Sequence, residues 1–146
     1  MNEYNIAFES EGISFVLPNA NSIASWLKSV IELEKHILSA LTYIFCDDDY
    51  LHQINVEHLN HDNYTDVITF QYADNSVDGD VFISVDRIRE NATQYAVAEQ
   101  NELHRVMVHG LLHLMGYKDK TTDDKALMTE KENCYLSLLK QNFKLN

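Results

Sequence analysis

Basic residues are scarce in this chain of 146 residues: 11 lysines and arginines stand against 23 aspartates and glutamates, for a formal net charge of −12. That excess opposes long-range attraction to a polyanion, so any contact with nucleic acid has to be local. Arg87, Arg89, Arg105, Lys118 and Lys120 are the residues for such a patch, with ordinary solvated surface charge as the alternative. Cysteine is almost missing too. Cys46 and Cys134 lie far apart, form no Cys-x-x-Cys pair, and read as two reduced core thiols of a cytoplasmic protein. With one proline and four glycines, no Pro/Gly/Ser-rich linker, repeat or low-complexity tract divides the chain, and a single domain over residues 1–146 is expected. No apolar run reaches bilayer-spanning length and the first five residues are polar, which argues against a leader segment and a membrane partner.

Apolar side chains, in contrast, make up 45% of the residues, enough for a core without staples. Residues 4–8 and 13–17 alternate like a short strand pair around Glu11-Gly12, closed by Pro18. Asn21 and Ser22 offer caps for a helix with Ile23, Trp26, Leu27, Val30 and Ile31 on its apolar face. Residues 41–46 read as a strand, Asp47 and Asp48 as helix caps, and Leu51, Ile54, His58 and Leu59 as a second helical stripe. The period then shifts to two: residues 66–72 and 80–85 read as strands joined by the polar turn 73–79. Helical spacing returns after Asp86, with Ile88, Ala92 and Tyr95 on one side, and a further helix runs from near Glu99 through His113. The last helix, from about Asp123 to Asn142, carries Leu127, Met128, Cys134, Leu138 and Leu139. The expected class is α+β: a small mixed sheet with helices packed on it.

Chemistry concentrates in His109-Gly110-Leu111-Leu112-His113-Leu114-Met115-Gly116-Tyr117-Lys118-Asp119. Residues four apart share one helix face, so His109 and His113 can present their imidazoles to a common point. Gly116 can take the left-handed conformation that ends a helix, and Asp119 then approaches that point from another direction. Three protein ligands leave a coordination position for water, as a catalytic metal requires. Leu111, Leu112 and Leu114 read as core, and a loop cap is the alternative for Asp119. The spacing is zincin-like, similar to that of peptidases with His-Glu-x-x-His-x-x-Gly-x-x-His, but Gly110 occupies the general-base position. A glycine takes no proton, which argues against a protease.

The same stretch resembles the YbeY family of bacterial metal-dependent endoribonucleases, whose pattern is His-Gly-x-Leu-His-Leu-x-Gly-Tyr-Asp-His. The match runs from His109 through Tyr117, with further similarity in Thr65-Asp66-Val67-Ile68-Thr69-Phe70, in Gly79-Asp80-Val81 and in Met128. The resemblance implies a single-strand-specific endoribonuclease of ribosomal RNA maturation and ribosome quality control. Its implied partners are single-stranded or ribosomal RNA and ribosomal proteins, with DNA not expected. It implies one divalent ion, Zn2+ first, with iron(II) suited by the two histidines and a carboxylate. Two positions depart from the family. Asp119 replaces the usual third histidine and makes the ion a weaker Lewis acid. Leu59 stands where many relatives have an arginine thought to serve RNA cleavage, and leucine cannot contact phosphate; Arg87, Arg105 or Lys118 are the substitutes.

No carboxylate in the motif can serve as base, so metal-bound water is the expected nucleophile. Asp66, Asp80, Glu99 and Glu102 are candidate partners or proton acceptors, with solvated or capping roles as the alternative. Met128 reads as core, or as a residue packed beneath the metal. His36, His52, His58, His61 and His104 have no ligand spacing and read as structural or surface residues. Two rival functions stand beside the nuclease: a zincin-like peptidase, and an RNA-binding ribosome-assembly factor with a structural metal.

Overall fold

Strand β1 (Ile6–Glu11) leads through helix α1 (Ala20–Leu33) to β2 (Leu38–Cys46) in a computed structural model that describes residues 5–59 and 65–145. Helix α2 (Asp48–Leu59), the strands β3 (Val67–Gln71) and β4 (Val77–Ser84), and helices α3 (Val85–Tyr95), α4 (Glu99–Leu114) and α5 (Thr122–Asn142) follow. Among the described residues the four strands form one sheet in the order β1-β2-β4-β3. β1, β2 and β4 run parallel, and β3 is antiparallel to β4. The expected α+β class is the one observed.

The start of the chain differs from expectation. Residues 13–17 form no strand, and β1 pairs instead with β2, Ile6 opposite Leu41 and Phe8 opposite Tyr43. Parallel strands need a crossover of a dozen residues or more, and α1 supplies it. The alternation in 13–17 reflects burial without pairing: Leu17 is buried, and the Phe15 ring lies 4.9 Å from that of Phe45. α1 also begins earlier than Asn21 and Ser22 suggest, with Asn19 in a left-handed conformation at its cap and the Asn19 carbonyl accepting from Ile23 N–H. Its five expected apolar residues are all fully buried. Tyr4, the Leu59 side chain and His61 lie outside the described residues.

Alternation along β4 assigns the two sheet faces. Gly79 and Val81 lie beneath α4, where added Cβ atoms at Gly79 and Gly110 would meet Leu114 and Val81. Phe82 points the other way, into a cluster with Leu51, Ile54 and Phe70 under α2. Two buried hydrogen bonds fix the helices to this frame. Tyr43 of β2 donates its hydroxyl to the Met107 carbonyl at 2.8 Å, and Trp26 of α1 donates Nε1–H to the Tyr135 carbonyl at 2.8 Å. The buried stripe of α5 is Met128, Glu132, Tyr135 and Leu139, so Leu127 and Cys134, expected in the core, are exposed. Among the described residues no helix is long and apolar enough to cross a membrane.

Candidate metal centre

Why does α4 end where it does? Gly116 adopts φ +100°, its N–H reaches the His113 carbonyl, and the Tyr117 N–H reaches back to the Leu112 carbonyl. This left-handed cap reverses the chain within two residues, so Asp119 returns to the helix face that carries the histidines. His109 Nε2 and His113 Nε2 stand 3.0 Å apart, and Asp119 Oδ2 is 3.3 Å from each. Among the described residues this is the one group of His, Cys, Asp and Glu whose ligand atoms converge as a metal site does. All three side chains are partly exposed.

The outer nitrogens fix which way each imidazole faces. His113 Nδ1–H donates to the Tyr117 carbonyl at 3.0 Å, and His109 Nδ1–H donates to Glu132 Oε2 at 2.6 Å. With both Nδ1 atoms protonated, both Nε2 lone pairs point at each other and at a carboxylate. Donor atoms about 2 Å from a shared tetrahedral ion stand roughly 3.3 Å apart, so the spacing fits a transition-metal ion. Burial alone lowers the His109 pKa, but the Glu132 hydrogen bond and the charges of Glu132, Asp119 and Asp66 outweigh it and leave the imidazole above its usual value. Negative charge thus already gathers where a cation would sit.

Glu132 is the side chain at the candidate centre that spacing arguments missed. It is buried, and its Oε1 accepts from Arg105 Nη1 at 2.8 Å while Oε2 holds His109. A carboxylate inside the apolar stripe of α5 was the available signal, because a charge at a core-facing position needs a partner. On the His113 side the Tyr117 hydroxyl donates to Glu34 Oε1 at 2.6 Å, and Tyr135 and Lys131 also donate to that carboxylate. Burial raises the Glu34 pKa, yet these three donors lower it more.

The other expected site residues separate. Asp66 and Glu102 line a groove of about 730 Å³ that opens beside His109 between α4 and α5. Burial raises both carboxyls, and neighbouring negative charge adds to the shift. Asp80 lies on the α2 face of the sheet, opposite α4, where it accepts from the Tyr72 hydroxyl at 2.7 Å. Arg87 makes a bidentate pair with Asp48, Arg89 meets Glu99 at 3.3 Å, and Arg105 is bound to Glu132 and Asn133. Lys118 and Lys120 are exposed beside Asp119. Met128 is buried in the core. His104 is buried against the Trp26 edge, and burial lowers its pKa to about 4. Gly110 faces the sheet: a Cβ there would stand 2.7 Å from Val81 Cγ1.

Residues 5–140 match the family model described as Endoribonuclease YbeY. An Endoribonuclease YbeY of Cytophaga hutchinsonii is 46% identical over 142 residues, covering 96% of this chain and 99% of that protein. One from Flavobacterium johnsoniae is 47% identical, covering 88% and 91% respectively. The solution structure of TM1509 from Thermotoga maritima superimposes with a TM-score of 0.67 at 24% identity, over 92% of this chain and 88% of that one, which bears on the fold alone.

Proposed function

The chain belongs to the Endoribonuclease YbeY family, and on that premise we propose that it hydrolyses single-stranded RNA at one divalent ion held by His109, His113 and Asp119. The observation that carries the reading is the convergence of two imidazole Nε2 atoms and a carboxylate oxygen within 3.3 Å, each imidazole locked from behind by an acceptor. When bound, such an ion polarises a phosphodiester oxygen and lowers the pKa of water. Zinc suits the nitrogen-rich donor set, and iron(II) suits the two-histidine, one-carboxylate arrangement.

The protein's own part is orientation and proton handling. Glu132 and the Tyr117 carbonyl hold the two rings, and Arg105 holds Glu132. Asp66, with Asn91 Nδ2 donating to its Oδ2 at 3.4 Å, is the groove carboxylate suited to take a proton from the attacking water; its raised pKa makes it a better base. Glu102 backs it, and Asp80 takes no part. Gly110 has no side chain to take a proton as a peptidase base does, which favours the nuclease. Lys118, exposed next to Asp119, is the side chain suited to a substrate phosphate. The setting we assign is ribosomal RNA maturation in the cytoplasm, extending to ribosome quality control and contact with ribosomal proteins, within one domain over residues 1–146.

Replacing His113 with alanine tests the reading. Loss of single-strand cleavage with an unchanged circular dichroism spectrum supports it, and undiminished cleavage overturns it. Elemental analysis of the protein beside Asp119→Ala identifies the ion and tests the third ligand.

A further inference from the structure

We infer that the groove running from His109 along α4 and α5 is a subsite for an unpaired nucleobase of the RNA strand, a proposal that rests on the nuclease reading above. The groove follows α4 from His109 back to Asn101, about 12 Å at the helical rise per residue. Its lining is chemically mixed. Asp66, Glu102 and Glu132 are its carboxylates, whose charge a bound dication beside His109 would offset. Val97, Val106 and Leu136 are apolar, while Asn101, Asn133 and Ser137 carry amide and hydroxyl groups.

A phosphate backbone has little to hold it there. Arg105 is committed to Glu132 and Asn133, which leaves Lys140 at the far end as the other cation of the lining. Apolar contact combined with amide donors and acceptors suits the face and edge of a base. Tyr95 supplies the face. The residue is 60% exposed and lines the groove, where an aromatic side chain has no core to fill. Ala96, at φ +55°, is the left-handed cap that ends α3, and Tyr95 and Val97 on either side of it both line the groove. A paired base keeps its face stacked and its edge occupied, so the subsite selects single strands. It also reconciles RNA binding with a chain of net charge −12: recognition here relies on the base more than on the phosphate.

The test is equilibrium anisotropy with the full chain loaded with Zn2+, using labelled single-stranded oligoadenylate, labelled single-stranded oligouridylate, the duplex of the two, and inorganic polyphosphate as competitor. Strand integrity is checked by electrophoresis. Stacking on an aromatic ring gives about 1–3 kcal/mol per base, so Tyr95→Ala weakens oligoadenylate binding about 5- to 150-fold and leaves polyphosphate competition unchanged. Asn101→Ala changes the preference between oligoadenylate and oligouridylate. Few phosphate contacts predict a shallow salt dependence, a slope of about −1 in log affinity against log salt. If Tyr95→Ala and Asn101→Ala, both folded, bind all probes as the parent does while His113→Ala still abolishes cleavage, the subsite is refuted and the nuclease reading stands. Cleavage that survives in His113→Ala overturns the nuclease reading and the subsite with it.

Discussion

Glu132→Gln changes one atom of the candidate centre and nearly nothing of its volume. Glu132 accepts on both oxygens, from Arg105 at 2.8 Å and from His109 at 2.6 Å, so its glutamine replacement must turn an NH2 toward one of them. If the amide oxygen stays with Arg105, the NH2 donates to His109 Nδ1. The ring proton then moves to Nε2, the atom that would bind the metal. If the oxygen turns to His109, two donors face each other at the guanidinium, at a cost of about 1–3 kcal/mol in a buried site. The first outcome appears in metal affinity, the second in stability. Outer partners of metal-binding histidines are worth 10- to 100-fold in affinity, about 1.4–2.7 kcal/mol. Zinc affinity is measured by competition with a chromophoric chelator, and the stability of the metal-free protein by urea titration. A fall in affinity, in stability or in both is expected. Parental zinc affinity together with a parental urea midpoint would refute the claim that Glu132 fixes the His109 ring.

Four further outcomes follow from the geometry. Gly79→Ala places a Cβ 2.3 Å from the Phe70 carbonyl oxygen, which belongs to the backbone and cannot swing away, so a loss of about 3 kcal/mol is expected by urea denaturation. Gly110→Ala, 2.7 Å from a Val81 methyl and regaining about 1 kcal/mol of helix propensity, should lose less; a stabilised Gly110→Ala would contradict the close contact. Tyr43→Phe removes the buried hydroxyl that donates to Met107 and should cost about 1 kcal/mol at an unchanged m-value. Because the folded pKa of Glu34 lies below its unfolded value, its contribution is present above the unfolded pKa of about 4.3 and is lost as pH falls through the folded pKa. Glu34→Gln should therefore flatten the acid limb of stability against pH; an acid limb identical to the parent's would remove that assignment.

The two histidines and the glycine bend were legible in the amino-acid order because their geometry is local. The rise and turn of a helix bring residues four apart together, and a left-handed glycine reverses the chain within one turn, whatever surrounds them. The β3–β4 hairpin was readable for a related reason, its strands being neighbours along the chain. β1 shows the limit: alternation marked an extended segment, but only packing decided that its partner was β2 across α1 rather than residues 13–17. The same holds around the centre. Glu132 meets His109 across 23 residues and Arg105 across 27, and Asp80 falls on the far face of the sheet, because the docking of α5 and the pleat of β4 are set by the whole core. Local spacing brought the candidate ligand atoms of the two histidines together; tertiary packing alone decided which groups orient them, which arginines are occupied and where the groove runs.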